Sequence, residues 1–204
     1  MKKRSKKLLF LLISIFFITS TIVLALSLKP SYAVEGADFY LFCTYSGSNE
    51  QEANIAQVRT KESGGVGDIF YYNEKVNVVA CVYTSKSDAE SVAKKNEGVV
   101  VTVTLPQIIS DDKNYVMSIS KIYKFVSKNA NKLTNAFVEL EKGNENEMSV
   151  TKVVESFETE LQEESGEFFK QLSNEINSQA QVKEKCKLYC VKMILNCLQI
   201  VNEN

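Results

Sequence analysis

The longest apolar stretch of the chain is residues 8–28, which carry no charge and directly follow the basic cluster Lys2, Lys3, Arg4, Lys6 and Lys7. Its 21 residues, at about 1.5 Å per helical residue, match a bilayer core of about 30 Å. Basic residues before a first span hold that end in the cytoplasm, so the pattern predicts a single-pass anchor with the rest of the chain outside. Ser31-Tyr32-Ala33 offers small residues where a signal peptidase reads, which gives the other outcome, a chain cleaved after Ala33 and secreted. The run exceeds the roughly 7–15 apolar residues of a cleaved core, and that favours the anchor.

From Asp38 to about Ile108 the pattern changes to short β-prone runs separated by short helices, and from Ser110 onward it is helical. This predicts three parts: residues 1–33 as anchor or signal segment, 38–108 as an α+β domain, and 110–204 as a helical region of two to three helices. The α+β part contains a repeat. Phe42-Cys43-Thr44-Tyr45-Ser46 and Ala80-Cys81-Val82-Tyr83-Thr84 align at an offset of 38. Each is followed by a polar turn, an alanine-rich helix, a glycine and another strand. Ser87 is the expected cap of the second helix, with Glu90 as its capping-box partner. Two β-α-β units in tandem predict a four-stranded antiparallel sheet with both helices on one face. Alternation then puts Val76, Val78, Ala80 and Val82, with Tyr40, Phe42, Val101, Val103 and Leu105, beneath those helices. The other face, expected to be open, carries Leu41, Cys43, Asn77, Val79, Cys81, Thr102 and Thr104. Gly64-Gly65-Val66-Gly67 lacks the lysine of a phosphate-binding loop and precedes a strand, so it reads as a connector.

In the helical region, Tyr115, Ile119, Ile122, Val126, Leu133, Phe137 and Leu140 mark one apolar face. Gly143-Asn144 makes a turn. A second helix from about Glu147 carries Val150, Val153, Val154, Phe157, Leu161, Phe168, Leu172 and Ile176, and a third runs from about Val182 to Ile200. Such stripes bury on each other, on the sheet or on a partner. Between Glu145 and Glu167 eight acids face one base, Lys152, which reads as a solvated face.

Charge and composition narrow the function. All 25 acids but only 18 of the 24 bases lie beyond residue 33, so that part is net −7. That argues against nucleic acid as a partner. The chain has no histidine, which removes the commonest general base and zinc ligand. No catalytic set, metal set or cofactor motif stands out, and the chain does not read as an enzyme. Cys186, Cys190 and Cys197 share a helix face and read as small apolar residues packing on a neighbour. Cys43 and Cys81 occupy equivalent places in the repeat. Outside the cytoplasm they could form a disulfide between neighbouring strands; the alternative is two packed thiols.

The repeat resembles the SPOR (sporulation-related repeat) domains over residues 38–108. Their half-motifs run aromatic-x-Val-Gln-x-Gly-Ser-Phe and Tyr-Arg-Val-x-x-Gly-Pro-Phe, each followed by a helix with an early alanine. Here Phe39-Tyr40-Leu41-Phe42-Cys43-Thr44-Tyr45 and Val76-Asn77-Val78-Val79-Ala80-Cys81-Val82-Tyr83-Thr84-Ser85-Lys86-Ser87-Asp88-Ala89 stand in those places. The resemblance implies a βαββαβ sheet that binds peptidoglycan glycan strands on the face away from its helices, in cell division or sporulation. On this chain that site would comprise Leu41, Thr44, Asn77, Val79 and Tyr71. The family's glutamine falls on Leu41, its arginine on Asn77, and both strand glycines on Cys43 and Cys81. Leucine offers a sugar no hydrogen bond. The alternative reading is therefore an envelope protein that keeps the fold, has lost the glycan site, and meets a protein partner through its C-terminal helices.

Overall fold

Residues 76–83 form the most continuously apolar β run of the chain, and every one of them is buried. A strand that is apolar on both faces needs cover on both faces. In the computed structural model, which describes residues 31–175 and 181–202, that is how it sits. The elements in chain order are β1 (Tyr32–Val34), β2 (Ala37–Gly47), α1 (Glu50–Glu62), β3 (Asp68–Tyr72), β4 (Lys75–Tyr83), α2 (Lys86–Lys95), β5 (Val99–Leu105), β6 (Ile108–Ser110), α3 (Lys113–Glu141), α4 (Glu147–Glu163), α5 (Glu167–Glu175) and α6 (Val182–Asn202). The anchor expected at residues 8–28 lies outside the described residues, as does Ile176. Among the described residues no helix is long and apolar enough to cross a membrane.

The protein is α+β, as the pattern predicts. Four strands pair antiparallel in the order β3-β4-β2-β5, with Cys43 and Cys81 on the central two. Asn73 and Glu74, both at positive φ, make the two-residue turn between β3 and β4, a conformation whose twist suits a hairpin. Irregularities flank Cys43 in β2. There the pairing steps from Phe42↔Cys81 to Cys43↔Val79 and leaves Ala80 over. Helix α1 is capped by Asn49, whose side chain accepts from the amides of Gln51 and Glu52. It packs Ala53 on Val76 and Val78. Helix α2 is capped by Ser85 rather than Ser87. Its Oγ accepts from Asp88 N at 3.3 Å, so the helix starts earlier than the Ser87–Glu90 pairing suggests.

A second, two-stranded sheet joins β1 to β6, with Ala33 opposite Ile109. Ser31-Tyr32-Ala33, which the sequence offers as a peptidase site, thus overlaps a strand, and Val34 is buried. Gly36 lets β1 turn into β2, because a Cβ there would lie 2.3 Å from the Leu105 carbonyl oxygen.

The helical region has four helices among the described residues, where two to three are expected. Gly143, at positive φ, ends the α3 turn. The expected second helix divides at residues 164–166, where Glu164 is extended and Gly166 has φ 129°. Helix α3 buries more than one stripe: Val116, Phe125 and Ala136 join Ile119, Val126, Leu133 and Phe137. It is surrounded, since it contacts β4, α4 and α6. One continuous core runs from Leu41, Val79, Val82, Val103 and Leu105 of the sheet to Leu133, Phe137, Phe157, Leu172 and Ile194 of the helices. Residues 38–108 and 110–204 therefore share their interior.

The acidic run is partly a clamp rather than wholly a solvated face. Glu160 takes Lys128 at 2.6 Å and Lys132 at 3.7 Å. Glu164 takes Lys121 at 2.5 Å. Glu158 takes Lys185 at 3.3 Å and the Tyr189 hydroxyl. These contacts tie α4 to α3 and α6.

Candidate functional site

The five residues expected to contact glycan do not converge. Leu41 and Val79 are fully buried and Asn77 is 1% exposed. They lie under α3 and α6, which pack against β4. On that side Lys192 of α6 reaches Asp68, the residue paired with Val79, in an ion pair with Nζ 2.8 Å from Oδ2. The open sheet face that alternation leads one to expect is thus closed by the chain's own C-terminal helices, and β5 is turned over relative to that expectation: Val101, Val103 and Leu105 share the covered face with Leu41, while Thr102 and Thr104 lie on the other face beside Tyr40 and Asp38. Asn77 turns inward on its hairpin: Nδ2 donates to the Lys75 carbonyl at 3.1 Å, while Oδ1 is unpartnered.

Thr44 and Tyr71 lie on the α1 side. Thr60 donates its hydroxyl to the Ala56 carbonyl at 2.7 Å, so the 2.5 Å contact between the two threonines is a donation from Thr44 to Thr60. Tyr71 is 70% exposed and donates to Glu50 Oε1 at 2.8 Å.

Cys43 and Cys81 are free thiols, both buried. The bulge at Ala80 is the reason they do not join. It sets Cys43 opposite Val79 on the covered face, and Cys81 opposite Phe42. The three α6 cysteines pack in the interior, with Cys190 Sγ 3.7 Å from Thr134 Oγ1. Burial raises all five thiols: Cys81 to about 11, Cys186 and Cys197 to about 12, and Cys43 and Cys190 further still. Thiols held neutral in this way are poor nucleophiles.

This has a consequence for alkaline stability. The folded state disfavours each thiolate, so the thiols' contribution to stability is complete below the ordinary value of 9.0. As pH rises past it the unfolded chain ionises first. Stability then falls by about 1.4 kcal/mol per thiol per pH unit until the folded-state value is reached. Melting followed by circular dichroism should show a midpoint that drops steeply between about pH 9 and 11. A midpoint unchanged over that window would show the thiols to be solvated.

A groove on the described surface lies between α1 and α2, with a cavity of about 930 Å³. Its floor includes Phe42, Ala80 and Cys81, and Ile55 and Val92 stand on its walls. Arg59, Lys95, Lys142, Lys183 and Lys187 line it against Glu52, Asp88 and Glu141. No motif in the sequence marks this groove. Its lining comes from both halves of the repeat and from the ends of α3 and α6, which are far apart along the chain. Comparison with protein-family models, with curated proteins and with solved structures finds no match to this chain.

Proposed function

We propose that this chain is an extracytoplasmic cell-envelope protein, anchored through residues 8–28, that acts by binding a partner rather than by catalysis. Its βαββαβ core is SPOR-like, and the sheet face that such domains offer to glycan strands is occupied by its own helices. The observation that carries this reading is the burial of Leu41, Asn77 and Val79 beneath α3 and α6. The strand order β3-β4-β2-β5, with β2-α1-β3 and β4-α2-β5 as its halves, supports the SPOR-like, ferredoxin-like assignment. The lack of histidine and the neutral buried thiols support a non-catalytic role.

The anchored reading also fixes the position of the domain. Only residues 29–31 separate the apolar run from β1, a reach of roughly 10–14 Å. The domain would therefore work at the membrane surface.

Retention on purified sacculi, with and without amidase treatment, tests the reading. The expected result is no amidase-dependent retention of the full chain, and no change with Thr44→Ala or Tyr71→Ala, both surface substitutions. Retention that rises after amidase treatment and falls in Thr44→Ala would instead make the protein a glycan-strand binder.

A further inference from the structure

We infer that the groove between α1 and α2 is a binding site for an acidic peptide segment that carries large apolar side chains. The groove can bind such a segment whether or not the sheet meets glycan.

Size comes first. A cavity of about 930 Å³ is at the upper end of the range for ligand sites, far larger than one ion needs and enough for several side chains. Charge comes second. The part of the chain beyond residue 33 is net −7, yet five cations and three acids line this groove. Glu141 is already held, by Lys183 at 2.9 Å and Lys187 at 3.3 Å. Lys187 Nζ also lies 3.5 Å from the Gly64 carbonyl, just past the end of α1, whose last turn carries Arg59. Arg59 and Lys95 enter no ion pair among the described residues and are exposed, whereas Lys142 is held by Glu139 at 3.1 Å. A surplus of positive charge in a concave, partly apolar site favours carboxylates. Apolar surface decides the rest. Ile55 is 53% exposed on the wall, and the half-buried Val92 stands across the same space above the buried Phe42 of the floor. A sugar-phosphate polymer would leave that surface uncovered, whereas a peptide with leucine or phenylalanine between its acids would bury it.

Fluorescence anisotropy on the full chain in lipid nanodiscs, with empty nanodiscs as the blank, tests the assignment. The probes are a labelled Glu-Leu-Glu-Phe-Glu peptide and two analogues, one with glutamine for each glutamate and one with serine for each apolar residue. The acidic amphipathic probe should bind, and each analogue should bind about tenfold more weakly. Arg59→Gln and Lys95→Gln should each weaken it about threefold to fivefold, and added salt should weaken it further. Ile55→Ser should weaken the leucine-phenylalanine probe and leave the serine analogue unchanged. All three substitutions are at exposed positions, and a circular dichroism melt verifies the fold of each. Equal binding of the glutamate and glutamine probes, equal binding of the serine analogue, or no binding of any probe would overturn the assignment.

Discussion

Leu41→Gln should destabilise the folded chain by about 3 kcal/mol in urea unfolding, even though glutamine is the residue that the resembled SPOR motif has at this place. Leu41 is fully buried in β2, between Val82 on β4 and Val101 on β5. Glutamine is longer and unbranched, so it fits the space of the branched leucine poorly among tightly packed neighbours. The amide also brings two donors and an acceptor into a place lined by valine side chains, and buried polar groups without partners are costly. On an open sheet face the same change would be worth less than about 0.5 kcal/mol. The size of the effect therefore reports whether the face is covered. A loss below about 1 kcal/mol would mean that it is not.

Phe137→Ala should cost about 3–5 kcal/mol. Phe137 is fully buried on α3. Its ring meets Tyr83 of β4 edge-on at 5.5 Å between centroids, and Lys187 of α6 stands 5.9 Å from its centre. It therefore joins the sheet to both helices that cover it. Because the core is continuous, the variant should still unfold in one transition, shifted as a whole. Two transitions, with only the helical one displaced, would mean that the halves fold separately.

The sheet was legible because a strand's side chains alternate and because the two halves repeat. The strands of the four-stranded sheet and the two helices between them follow from that pattern. The reading of its second face failed for a reason also written in the sequence. Val76, Val78, Ala80 and Val82 alternate with Asn77, Val79, Cys81 and Tyr83, of which three are as apolar as their neighbours. Such a run signals cover on both sides, and the long apolar stretches of α3 and α6 are what supplies it. The bulge at Ala80 could not be read, because it depends on how β2 registers against β4. It is the reason Cys43 and Cys81 diverge although they occupy equivalent places in the repeat. Strands β1 and β6, three residues each, are too short to show a period. The pairing of Glu158, Glu160 and Glu164 with lysines of α3 and α6 joins residues some 27–43 apart in sequence, which no local pattern encodes. The groove between α1 and α2 is a property of tertiary packing alone.

Closure of the sheet in cis by the C-terminal helices is read out by alkylation of Cys43 in the native full chain. Cys43 is on the covered face, fully buried, paired with Val79. The protein would be exposed to iodoacetamide without denaturant, quenched, digested and mapped by mass spectrometry, with a denatured sample as the reference. Cys43 should stay unlabelled, as should Cys186, Cys190 and Cys197, and all four should label once the chain is unfolded. Rapid labelling of Cys43 in native protein whose α6 cysteines remain protected would contradict closure in cis, because the sheet face would then be open while the helices are folded.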